Sequence, residues 1–105
     1  MNKENLEILD NWKKENKLTQ HQFNLLIKAY RSIMFFLEGN EKDIMILLSI
    51  PSSIKQAKEY FTPCCDEIPR IQNWYKLTIK GQDVINNLKK NLIWKKEFND
   101  YLFNL

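Results

Sequence analysis

Cysteine is nearly missing from this 105-residue chain; it occurs twice, at the adjacent positions Cys64 and Cys65. A bridge between chain neighbours is strained, so no disulfide scaffold of the secreted kind is expected. Those two thiols and a single histidine, His21, do not make a zinc set, because no second cysteine pair exists. No metal or other cofactor is therefore expected. Glycine also occurs only twice, at Gly39 and Gly81, which excludes a glycine-rich loop cradling a phosphate. Apolar runs are short. The longest are 33–37 and 44–50, the second broken by Ser49, against the ~20 residues a bilayer crossing needs. The opening residues Met-Asn-Lys-Glu-Asn-Leu-Glu hold no apolar stretch of a secretion signal, so a reducing, cytoplasmic setting is expected. No nucleophile–base spacing and no carboxylate pair stands out, and an enzyme is not expected.

What is present is globular composition. Hydrophobic residues make up 44% and charged residues 28%, which excludes a disordered tail. The length suits a single domain, able to bury roughly two-thirds of its unfolded surface. Lys, Asn and Ile dominate, the bias of AT-rich coding sequence found in some bacteria and phages. The formal net charge is only +3, but its distribution is uneven. Residues 76–96 hold six lysines (Lys76, Lys80, Lys89, Lys90, Lys95, Lys96) against one acid, Asp83. A segment that basic is able to steer a polyanion; it also fits the solvated face of an amphipathic helix.

The few breakers punctuate the chain sharply. A first helix is expected from Lys3 to Glu15, with Ile8, Leu9 and Trp12 as its apolar stripe. Thr19-Gln20-His21-Gln22 fits a capping box and opens a second helix. Phe23, Leu26, Ile27, Tyr30, Met34 and Leu37 recur along it at helical spacing, and Gly39 ends it in a left-handed cap. Asn40 then caps a third helix, 41–49, with Glu41 and Asp43 in its first turn. Pro51 stops that helix, and Ser53 with Gln56 opens a fourth, 53–61. Thr62-Pro63 looks like one more cap. Two strands, 67–71 and 74–79, form a hairpin about Gln72-Asn73, because Tyr75, Leu77 and Ile79 alternate with Lys76 and Thr78. From Lys80 to about Asn104 the pattern is helical again, with one stripe at Ile85, Leu88 and Leu92. A second, offset stripe runs through Trp94, Phe98, Tyr101, Leu102 and Leu105 and needs a partner of its own. The expected fold is mainly α with a small β-hairpin, ending in a long helix. Its parts are an N-terminal helix 1–16, a core 19–79 and a C-terminal dimerisation helix 80–105.

Helix 41–49, turn 50–52 and helix 53–61 together make a helix–turn–helix, the geometry that lets a second helix lie in a major groove. A second register places the recognition helix at 63–73, which Pro69 disfavours. The run Trp74-Tyr75-Lys76-Leu77-Thr78-Ile79-Lys80-Gly81 resembles the segment of prokaryotic winged helix–turn–helix DNA-binding proteins where the last wing strand enters the C-terminal helix. Tyr75, Leu77, Thr78, Lys80 and Gly81 carry that likeness, which covers about residues 20–90. Thr78 is expected to cap the helix, and Gly81 to let its start approach the sheet closely. The resemblance implies a homodimeric regulator, transcriptional or of phage or plasmid type, bound to double-stranded DNA. Ser53, Lys55, Gln56 and Lys58 would then meet DNA, and Arg70, Lys76 and Lys80 would touch phosphates. Leu92, Trp94, Phe98, Tyr101, Leu102 and Leu105 would form the dimer interface. The alternative is a small helical protein-binding module, such as a phage-type inhibitor, that uses the same scaffold without DNA. The low net charge and a recognition helix without arginine favour this second class, and the basic segment 76–96 favours the first.

Overall fold

The computed structural model describes residues 3–47, 57–63 and 74–92. Helix α1 spans Lys3–Glu15, the expected range, and buries Leu9 and Trp12. Its stop is a turn in which Lys17 takes φ 52°. Helix α2 spans Gln20–Phe36. Its capping box is formed as the sequence predicts: the Gln22 amide donates to Thr19 Oγ1 at 3.1 Å, and the Thr19 amide donates to Gln22 Oε1 at 3.0 Å. Phe23, Leu26, Ile27, Ala29, Tyr30 and Ile33 of α2 are all buried. Beyond it the chain turns through two left-handed residues, Glu38 (φ 52°) and Gly39 (φ 88°). The Gly39 amide closes the end on the Ile33 carbonyl at 3.0 Å.

The next stretch departs from the expected helix 41–49. Asn40 does cap, accepting from the Lys42 amide at 3.1 Å, but the helix is a single 3-10 turn, Glu41–Asp43. Strand β1, Ile46–Leu47, follows. The reason lies in the side chains: Ile44 and Ile46 are buried while Met45 between them is exposed. That is a period of two, and a short apolar run is ambiguous between helix and strand until something pairs with it.

The end of the expected helix 53–61 is corrected in the same way. Ala57 is helical, but 58–60 form a turn closed by the Tyr60 amide on the Ala57 carbonyl at 2.9 Å. Strand β2, Phe61–Pro63, takes the place of the helix's end and of the supposed Thr62-Pro63 cap. Aromatic and β-branched residues suit a pleated surface. Pro63 is tolerated because β2 lies at the edge of the sheet that the described residues form. Within the described residues the first helix of the expected helix–turn–helix is thus replaced by a 3-10 turn and a strand, while the second is helical at Ala57 and gives way to a turn and strand β2 from 58 onward. The remainder of that segment, 48–56, lies outside the described residues.

Strand β3, Trp74–Leu77, is the centre of a three-stranded antiparallel sheet of order β1-β3-β2. Ile46 stands opposite Tyr75 on one side; Phe61, Thr62 and Pro63 stand opposite Leu77, Lys76 and Tyr75 on the other. The antiparallel partners of β3 are therefore β1 and β2. The expected partner 67–71 lies outside the described residues. Tyr75 and Leu77 are buried while Trp74 and Lys76 are half-buried, the predicted alternation, but it stops short of 79: Ile79, expected on the buried face, opens the next helix and is exposed.

Thr78 ends β3 and begins helix α3, Ile79–Asn91. It accepts from the Gly81 amide at 3.1 Å, donates from Oγ1 to the Glu59 carbonyl at 2.6 Å, and donates from its amide to the Tyr60 carbonyl at 2.9 Å. Gly81 lies so close to the preceding turn that a Cβ there would stand 2.3 Å from the Tyr60 carbonyl oxygen. The cap and the close approach are both as expected. The unbroken helix to Asn104 is not: α3 ends at Asn91, and Leu92 is extended at φ −103°, ψ 122°.

The core lies between α2, the sheet and α3. Val84, Ile85, Leu88 and Leu92 of the C-terminal region pack into it with Tyr30, Ile33, Ile44, Phe61 and Leu77. α1 closes one side. Trp12 donates from Nε1 to the Val84 carbonyl at 2.9 Å, and its ring meets that of Phe23 at 5.8 Å. No helix among the described residues is long and apolar enough to cross a membrane.

Candidate functional site

Of the residues expected at a DNA surface, Lys58, Lys76 and Lys80 fall among the described residues. Ser53, Lys55, Gln56 and Arg70 lie outside the described residues. Lys58 is exposed in the turn after Ala57, and Lys76 is half-buried on β3. Lys80, in the first turn of α3, pairs with Glu59 at 2.6 Å, and its Nζ sits 5.4 Å from the Tyr60 ring centre. The hydrogen bond from Lys80 holds the Glu59 carboxyl below its ordinary range, and the same bond raises Lys80. Both side chains are more than half exposed, so the pair contributes little stability. Its consequence is positional: it fastens the turn 58–60 to the start of α3 beside the Thr78 bonds.

Lys89 repeats the arrangement at the other end of α3. Its ammonium donates to the Gly39 carbonyl at 2.6 Å and to Glu41 Oε2 at 2.8 Å. These side chains are only 25% and 15% exposed, so the pair is well screened from water. Burial pushes the Glu41 carboxyl up. Hydrogen bonds from Lys89, from its own backbone and from Asn86, with the charge of Lys89, outweigh that and hold the group below 4.5. Two of the lysines in the basic segment are therefore matched by carboxylates of the same molecule. Neither counter-ion was legible in advance, because they stand 21 and 48 residues away in sequence.

Of the expected dimer contacts, Leu92 is 3% exposed and belongs to the chain's own core. Trp94, Phe98, Tyr101, Leu102 and Leu105 lie outside the described residues, as do Cys64 and Cys65. His21 is half-buried, and its Nε2 has no hydrogen-bond partner among the described residues.

The surface feature that stands out is aromatic. Phe36, the last residue of α2, is 74% exposed. Phe35 beside it is 38% exposed, and the two rings meet edge to face with centres 4.8 Å apart. The helix period explains Phe35: two residues past the fully buried Ile33, α2 has rotated by roughly 200°, onto the face opposite the core. Two clefts open beside α3. One of about 660 Å³ is lined by Asp83, Asn86, Asn87, Lys89 and Lys90. The other, about 320 Å³, lies between α1 and α3 against Ile8, Asn11, Trp12, Glu15 and Asn91.

Comparison of the chain with protein-family models, with curated proteins and with solved structures finds no match. The site has to be read from its own chemistry.

Proposed function

We propose that this chain is a small protein-binding module on a winged-helix-like scaffold, and that it docks its partner at the aromatic end of α2. The observation that supports this reading is the Phe35–Phe36 pair, with Phe36 left 74% exposed at the end of an otherwise core-facing helix. An aromatic ring brings a large contact area, and such residues dominate interface energies. The scaffold's likeness rests on residues 74–81, where β3 passes through the Thr78 cap into α3 beneath the close Gly81 contact.

A second reading, a homodimeric DNA-binding regulator, is favoured by the six lysines of residues 76–96. A phosphate reaching Lys80 or Lys89 would first have to displace Glu59 or Glu41. That competition weakens the electrostatic footprint on which duplex binding depends.

One comparison separates the two readings. Wild type and Phe36→Ala are used to capture proteins from a bacterial lysate, and both are mixed with duplex DNA at about 50 and 200 mM salt. The expected result is a protein retained by wild type and weakened in the variant by about 2 kcal/mol, roughly thirtyfold in Kd. Duplex retardation that falls steeply with salt and is indifferent to Phe36→Ala would overturn the proposal in favour of the regulator.

A further inference from the structure

We draw no further inference here: the strongest candidate, the cleft of about 320 Å³ between α1 and α3 lined by Ile8, Asn11, Trp12, Glu15 and Asn91, opens beside the last described residues of α3, and nothing in the structure shows what covers it.

Discussion

Replacing Gly81 by alanine should destabilise this protein, although the same change in most helices does the opposite. Alanine is the better helix former by about 1 kcal/mol, and Gly81 sits inside α3. The added methyl, however, has nowhere to go. It would stand 2.3 Å from the Tyr60 carbonyl oxygen, 3.2 Å from that carbonyl carbon and 2.9 Å from Leu77 Cδ2. Two of those three atoms are backbone and cannot rotate away. Relief requires the start of α3 to lift off the turn 58–60, which stretches the Thr78 bonds to Glu59 and Tyr60. Overpacking of this kind costs ~1–3 kcal/mol, and each strained hydrogen bond adds ~1 kcal/mol. Set against the helix-propensity gain, the net loss is about 3 kcal/mol. For a domain of this length that corresponds to a Tm lower by roughly 15 °C. The assay is urea unfolding followed by circular dichroism, with Lys90→Ala as a control on an exposed position of the same helix. The control should stay within about 0.5 kcal/mol of wild type. A Gly81→Ala midpoint equal to or above that of wild type would show that α3 does not dock this closely.

Thr78→Ala should cost more than Thr19→Ala, about 2 against about 1 kcal/mol, because Thr78 both caps α3 and reaches the Glu59 carbonyl, whereas Thr19 only caps α2; equal losses in parallel melts would contradict that ordering. Glu41→Gln tests the Lys89 pair through pH. The folded carboxyl lies below its ordinary 4.5, so its contribution is present above that value and fades as pH falls through the folded value. Urea midpoints at neutral and acid pH should therefore differ less in the variant than in wild type, and an unchanged difference would count against the pairing. Trp12→Phe removes the buried bond to the Val84 carbonyl and some ring volume, and should lower stability by about 1–2 kcal/mol. Unaltered thermal unfolding would mean that α1 is not held against α3 by this contact.

Signals confined to three or four consecutive residues were legible in the chain itself. The Thr19–Gln22 box, the Asn40 and Thr78 caps, the left-handed Gly39 and the limits of α1 all follow from short-range chemistry that needs no partner. The stripe Ile85, Leu88 and Leu92 was legible for the same reason, since helical period alone aligns it. Ile44–Leu47 and Phe61–Pro63 were not. Each is a short apolar or aromatic run that satisfies either period, and only β3, placed between them, supplies the hydrogen bonds that make both into strands. The same distance in sequence hid the carboxylates opposite Lys80 and Lys89, so a segment that counts as strongly basic along the chain is partly neutral in space. Composition and local spacing determined where the helices start and which faces they bury. Tertiary pairing decided the sheet, the charge left over and the exposure of Phe36, because each depends on groups that meet only once the chain has closed on itself.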